Sequence, residues 1–390
     1  MPELLRRIEP DDLVLVALTL ALKAALLGLG IFALLIITEH ELTNGMYGAI
    51  QLWDRWDGPH YVDLTVLGYR ASDPGVQTIE GYARAFPGDL PLYIVFFPLF
   101  PWLAGVVNAL IHVPLLSVFI VSTVASLFVA PLLFRLVRAD FGYDAGLRAA
   151  GFLLIFPTTY FLHIGYTESL FLALVLGCFL AVRRDHWWLA GALGGLAALT
   201  RINGLVLIPA LAAEAWLEWD ADAQHRLRAH WLAIGLVVVG FVAYLGLNLA
   251  AYDDPLTFLN IQNGHWFKSL APPWEGIAAV VDRIPHPIGD SAFMYGWMEL
   301  AFIALGLVGT VVAAFRFRPS WFAWMAVNWL LFTSTAFVLS VPRYSLTLFP
   351  LFAWFALDVR RWWIGVPFVL VSIGLLGFFA SQFAVGRWAF

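Results

Sequence analysis

The sequence predicts an all-α, polytopic integral membrane protein, and three observations carry that prediction. Of its 390 residues, 61% are hydrophobic and 13% charged, against roughly 25% charged in an ordinary soluble domain. Apolar runs near 20 residues or longer recur from end to end, as at 13–37, 115–136, 231–250 and 362–383, each enough to cross about 30 Å of hydrocarbon. The basic residues, finally, gather in tight groups between those runs. A water-soluble enzyme is thereby excluded, and a net charge of -5 without a basic footprint removes nucleic acid from the partners.

The first run, 13–37, follows Arg6 and Arg7. It exceeds a signal-peptide core and no small-x-small site follows it, so it reads as a retained first span. Thirteen of the 22 basic residues fall in six clusters: Arg6/Arg7, Arg135/Arg138/Arg148, Arg183/Arg184, Arg226/Arg228, Arg316/Arg318 and Arg360/Arg361. All six are placed inside, because cytoplasmic loops collect Lys and Arg. Lys23 falls within the first span.

That parity requires two interpretations. The stretch 91–112, interrupted by Pro91, Pro98 and Pro101, reads as an outer-leaflet or re-entrant helix instead of a crossing. The stretch 187–216 reads as two short spans turning at Thr200 to Gly204, which sets Arg201 in an outward turn. The result is eleven spans at 13–37, 115–136, 147–164, 168–182, 187–200, 203–217, 231–250, 297–315, 321–340, 345–357 and 362–385, with the N-terminus inside. The chain, 1–390, is one membrane domain with two long outer segments, 38–113 and 251–296. It has no low-complexity tract and no inverted repeat of the transporter kind.

The densest polar stretch runs from Gln51 to Asp63. Asp54, Asp57, His60 and Tyr61 recur at i, i+3, i+6 and i+7. One helix would place them with Trp53 on a face lying along the membrane surface, the aromatics as interfacial anchors. Gly58-Pro59 fits two short helices around a bend equally well. Solvated carboxylates on such a helix and a functional site are both compatible with this composition.

Glu168, in Tyr166-Thr167-Glu168-Ser169, heads a span, where a carboxylate gains roughly 0.3–1 kcal/mol from the unsatisfied N–H groups. Capping by Thr167 and Glu168 and a substrate-binding acid are the two readings. Arg201 and Arg343 lie in outward turns among apolar residues. Burying a cation costs on the order of 2.5–3.5 kcal/mol on insertion scales, so each needs a partner. Glu168 and a lipid phosphate are the candidates, with headgroup snorkelling the plainer alternative; the planar guanidinium suits a phosphate. His163 reads as a satisfied interfacial histidine, and Lys23 as lying against another helix or snorkelling. Cys178 stands alone, which excludes a disulfide framework and a cysteine metal site. The histidines show no metal-site spacing, although Asp54 and Asp57 together would hold a divalent ion weakly.

Taken in order, several motifs resemble the PIG-V family, the second mannosyltransferase of GPI-anchor assembly, and its prokaryotic relatives within the GT-C class of membrane glycosyltransferases. They are Arg55-Trp56-Asp57-Gly with Tyr61 and Gly68-Tyr69, Phe96-Phe97-Pro98-Leu99-Phe100-Pro101, and Phe156-Pro157-Thr158 leading to Tyr166-Thr167-Glu168-Ser169-Leu170-Phe171. Trp187-Trp188-Leu189-Ala190-Gly191, Leu199-Thr200-Arg201-Ile202-Asn203-Gly204, and Pro342-Arg343-Tyr344 with Phe349-Pro350-Leu351-Phe352 complete the series over about positions 50 to 352. The chain is shorter than the eukaryotic enzymes.

The resemblance implies a GT-C fold with an outer first loop carrying the catalytic carboxylate on membrane-parallel helices. It also implies a polyprenyl-phosphate sugar donor and a glycolipid or glycan acceptor at the extracytoplasmic face. The matched carboxylate is Asp57, with Asp54 its rival. Arg201 and Arg343 become phosphate ligands, Asn203, Tyr344 and His60 neutral partners of sugar or phosphate, and Glu168 a partner of a sugar hydroxyl or an arginine. No metal is expected, because a lipid phosphate carries less charge than a nucleotide sugar. The same donor serves transferases that act on protein or cell-wall glycan. A lipid-sugar flippase would instead place charges near the bilayer midplane with repeat symmetry, and a structural subunit would tolerate substitution of Asp57, Arg201 and Arg343.

Overall fold

The computed structural model describes residues 9–69, 78–79, 82–83, 93–286 and 291–390. Arg6, Arg7, Arg70, Pro91 and Asp290 lie outside them. The first helix, α1 (Pro10–Ile37), is followed by a loop holding α2 (Gly45–Gln51), α3 (Gly58–Leu67) and α4 (Leu99–Ile111). Next come α5 (Pro114–Phe141), α6 (Tyr143–Leu154), α7 (Glu168–Val182), α8 (Trp187–Thr200), α9 (Leu207–Ala221) and α10 (Gly235–Tyr252). A second loop carries α11 (Thr257–Gly264) and α12 (Pro273–Asp282), and the chain ends with α13 (Glu299–Arg316), α14 (Pro319–Thr333), α15 (Val341–Ser345), α16 (Pro350–Asp358) and α17 (Trp362–Ala384). A two-residue hairpin, β1 (Thr78–Ile79) with β2 (Tyr82–Ala83), is a small departure from the all-helical expectation.

Each of the eleven predicted spans contains a helix, although α6 stops at Leu154 within 147–164, α14 stops at Thr333 within 321–340 and α16 starts only at Pro350 within 345–357. Among the described residues five helical stretches are long and apolar enough to cross a bilayer unaided: 10–37, 114–141, 229–252, 293–316 and 362–384. The chain is an integral membrane protein. The helix α5 is its hub. Residues in its apolar stretch are 61% buried, against 17% in α1 and 22% in α17, so those two turn most of their surface to lipid while α5 packs on α1, α4, α6 and α7. The 13-residue α4 spans about 20 Å at 1.5 Å per residue, too short to cross, and lies against α3 and α5.

Between apolar helices in lipid no hydrophobic drive remains, and close backbone packing takes its place. The contact of α8 with α10 is of that kind. A Cβ on Gly195 would lie 2.6 Å from the Leu236 carbonyl oxygen, and one on Gly240 would lie 2.1 Å from that of Gly195. Gly240→Val is therefore expected to force the helices apart, at a cost of about 1–3 kcal/mol or more. A lowered Tm in detergent checks this, with Gly246→Val as control, since a Cβ on Gly246 meets nothing within 4 Å.

Several arginines of the described basic clusters meet acids at one end of the bundle. Arg138 holds Glu9 bidentately at 2.6 and 2.9 Å, Arg135 holds Asp12, Arg183 holds Asp140, and Arg318 holds Glu214 at 2.6 and 3.0 Å. Arg316 meets Asp358 at 2.6 Å. Arg184 lies within the electrostatic reach of Glu9, Arg135 and Arg138, and Arg183 within that of Arg318 and Glu214, so these clusters share one end.

Candidate active site

The opposite ends of α7 and α8 converge with the first loop. Between α2 and α3 the chain bends at Trp56, whose φ of +55° is left-handed, so the stretch is two short helices around a bend. Asp57 is the residue before α3, and its carboxylate caps nothing. Tyr166 holds the bend: its hydroxyl donates to the Arg55 carbonyl at 2.5 Å and accepts the Asp57 N–H at 3.1 Å. The Asp57 side chain is thereby left to face Arg343, whose Nη1 donates to Oδ2 at 2.6 Å.

A continuous ion chain results. The Nε of Arg343 donates to Glu168 Oε1 at 2.5 Å, and the same oxygen accepts Nη1 of Arg201. Arg201 also donates to the Thr167 hydroxyl at 3.0 Å. The Arg343 guanidinium lies over the rings of Tyr166 and Phe161, 4.6 and 4.9 Å from their centroids, which shields it from water. Glu168 is fully buried and Arg343 is 5% exposed. Glu168 Oε2 is buried and has no hydrogen-bond partner among the described residues. Lys268, from the second loop, donates to the Tyr344 hydroxyl at 3.1 Å, and Arg201 lies 5.5 Å from the same ring. Lys268 forms no ion pair among the described residues. Arg201, Arg343 and Lys268 thus bring three cations to the cluster, as a site for an anionic ligand needs.

Burial makes Asp57 costly to ionise, but the charge and hydrogen bond of Arg343 outweigh it, with help from His60 and Lys268, and hold its carboxyl below the usual carboxylate range. Burial keeps His60 below the ordinary histidine value against the pull of Asp57, so its imidazole is neutral at pH 7. His60 sits among Tyr93, Phe96 and Trp266, at ring distances of 4.5, 5.2 and 6.1 Å.

Asp57, Glu168, Arg201, Arg343 and Tyr344 come together as one cluster. Asp54 is buried beneath the bend, where a Cβ on Gly58 would come within 2.6 Å of its Oδ1. It is Asp57 that meets the arginine. Tyr61 is a buried wall, edge-on to Phe96 and Phe100 at 5.2 Å each. Asn203 donates its amide to Asn328 at 2.8 Å, which ties the α8–α9 turn to α14.

Three expectations are corrected. Trp53 is no interfacial anchor: it is 1% exposed and stacks on Phe383 beneath α1, where the missing side chain of Gly30 admits its ring. His163 is buried, with neither ring nitrogen hydrogen-bonded among the described residues, and its carbonyl accepts Lys23 Nζ at 2.7 Å. The lysine is thus set against another segment, as one of its two readings had it. Thr167 makes no side-chain cap, because its hydroxyl serves Arg201. The sequence reading gave no role to Tyr166, Lys268 or Glu299. Tyr166 stood inside a quoted motif, Lys268 is the one lysine outside the spans, and Glu299 is an acid opening an apolar run.

Residues 91–246 match the family model of dolichyl-phosphate-mannose-protein mannosyltransferase. ArnT from Cupriavidus metallidurans, in its structure bound to undecaprenyl phosphate, superposes with a TM-score of 0.52 at 17% identity, over 94% of this chain and 76% of that one. Its apo structure gives 0.50 at 18%, over 84% and 61%. The Archaeoglobus fulgidus oligosaccharyltransferase gives 0.48 at 12%, over 95% of this chain, which spans 56% of that protein's length. No curated protein sequence matches. The fold is that of the GT-C membrane enzymes, and the family match adds support for a glycosyltransferase.

Proposed function

We propose that the protein is an inverting mannosyltransferase that moves mannose from polyprenyl-phosphate-mannose to a hydroxyl of a GPI-like glycolipid at the outer membrane face. The observation that carries this reading is the single ion chain Asp57–Arg343–Glu168–Arg201, which supports a proton acceptor with cations for a phosphate beside it. The N-terminus and the arginine–acid end of the bundle are cytoplasmic, and the site is extracytoplasmic. The segments 38–113 and 251–296 form its walls within one membrane domain.

In this mechanism Asp57 takes the proton of the acceptor hydroxyl, whose oxygen attacks the anomeric carbon from the face opposite the phosphate. The bond from that carbon to the phosphate oxygen breaks, and polyprenyl phosphate leaves with the electron pair. Arg201, Arg343 and Lys268 meet the growing negative charge. The carboxylates take two of the five N–H donors of Arg343. Asp57 is a weak base, so proton transfer comes late, when bonding to the electron-poor carbon has made the hydroxyl acidic. Glu168 Oε2 and His60 are partners for sugar hydroxyls, as is Tyr344 for sugar or phosphate, while Asn203 holds the α8–α9 turn through Asn328. An apolar groove lined by Leu67, Tyr69, Trp102, Leu247 and Ala251 takes the polyprenyl chain beside the Pro98/Pro101 segment.

Purified protein given polyprenyl-phosphate-[³H]mannose and membrane lipid is expected to move label into an organic-soluble glycolipid. Label in precipitated protein would favour the second reading, a protein acceptor, for which the description of the matched family speaks. Failure to bind any polyprenyl-phosphate sugar would end the transferase reading.

Transfer is expected to persist in EDTA. The Asp57 carboxylate already carries the Arg343 guanidinium at 2.6 Å, a charge that disfavours a second cation beside it. The described residues hold one group with metal-ligand spacing, Asp185, Glu218 and His230, and Asp185 follows the end of α7 remote from Glu168. Loss of activity in chelator, restored by a divalent ion, would count against this.

A further inference from the structure

A buried carboxylate outside the ion chain holds the turn that aims Arg343. Glu299 opens α13 and is fully buried. Its Oε1 accepts the Ser340 N–H at 2.7 Å and its Oε2 the Val341 N–H at 2.8 Å. These N–H groups open α15, whose five residues cannot satisfy them internally. Ser340 sits at φ +70°, a left-handed conformation that a side chain disfavours and that persists only where the surroundings impose it.

Other ties converge on the same segment. The Thr158 hydroxyl donates to the Pro342 carbonyl at 2.9 Å. The Ala336 N–H donates to the Ser269 carbonyl at 2.9 Å, and the buried Arg283 donates to the Val338 carbonyl. Arg343 is the next residue after Pro342, and its guanidinium must meet Asp57 and Glu168 at once.

We infer that Glu299 is a positioning residue for Arg343: its two oxygens clamp the Ser340–Val341 turn so that one guanidinium spans both carboxylates. This rests on the transferase reading of the site. An amide at this position would match the shape but present an NH₂ to one of the two N–H donors.

Glu299→Gln is expected to lower turnover by about 10- to 100-fold, the effect of a small misplacement remote from the chemistry, with KM for the donor nearly unchanged. Amide hydrogen exchange across 339–346 should quicken. Because Glu299 acts through Arg343, the double variant Glu299→Gln/Arg343→Gln should be no slower than Arg343→Gln alone; multiplied losses would overturn the inference. Adding Ser340→Gly, which removes the conformational strain, should restore part of the turnover, and this pair carries the test if Glu299→Gln alone does not accumulate. Exchange needs no substrate. Unchanged exchange over 339–346 overturns the clamp whatever the protein transfers, and faster exchange with undiminished turnover overturns its positioning role. A wild-type protein that moves no sugar defeats the transferase reading instead.

Discussion

Asp57→Asn is expected to slow the proposed sugar transfer by about 10²–10⁴-fold, the range for loss of a positioned general base, with donor binding largely kept. The amide preserves the shape of the side chain and can still accept from Arg343, so the bend at Trp56 and its Tyr166 ties have no reason to move. What is lost is the place for the acceptor proton. A radiolabel transfer assay in membranes measures the first quantity, and retention of labelled donor by the purified protein measures the second. Asp54→Asn is the companion experiment. The arginine bond that defines the cluster goes to Asp57, so the Asp54 variant should transfer better than the Asp57 variant. A dead Asp54→Asn beside a normal Asp57→Asn would move the base to Asp54.

Arg343→Gln is expected to do more varied damage. It leaves Glu168 fully buried with Arg201 as its remaining ionic partner, and breaking one side of a buried ion pair costs about 3–5 kcal/mol. The Tm should fall accordingly. The departing phosphate loses one of its stabilising donors, worth about 10²–10³ in rate at comparable sites. Arg343→Lys should recover little, because an ammonium cannot present a planar fork to two carboxylates.

The pH dependence distinguishes this role from simple packing. In the wild-type protein the carboxyl of Asp57 is held below the usual range, so the acid limb of transfer lies below the ordinary Asp value of about 3.9. Without the Arg343 charge and hydrogen bond, burial is opposed only by the weaker pull of His60 and Lys268, and the limb should move to higher pH. The stability linked to this pair has the same sign: it is present above the unfolded Asp value and is lost as pH falls through the lower folded one.

The long apolar helices and the four principal charges were legible because a membrane leaves few places for charge. Glu168, Arg201 and Arg343 stood out as ions at the ends of apolar runs, and Asp57 through its motif. Their partnership was less legible. That a single carboxylate oxygen would serve both arginines depends on three turns far apart in sequence meeting at one point. Glu299 was hidden for the same reason, since its partners are backbone N–H groups 41 and 42 residues away, which leave no mark on residue identity. Amphipathic spacing misplaced Trp53 because an aromatic ring suits a membrane interface and a protein core equally. Lys268 carried no local signal, because what gives it meaning is the Tyr344 ring that it reaches.

The α8–α10 seam bears on how the protein senses its surroundings. Where two helices touch through backbone, there are no rotamers to absorb a displacement, so the end of α8 that carries Arg201 follows α10. The span containing α10 is itself mostly turned to lipid, with 28% of its apolar stretch buried. A bilayer too thin for a span is met by tilt; a tilt of α10 would carry Arg201 away from Glu168 and Thr167. Transfer is therefore expected to depend on bilayer thickness through this pair of glycines, which an assay in vesicles of different acyl-chain length measures.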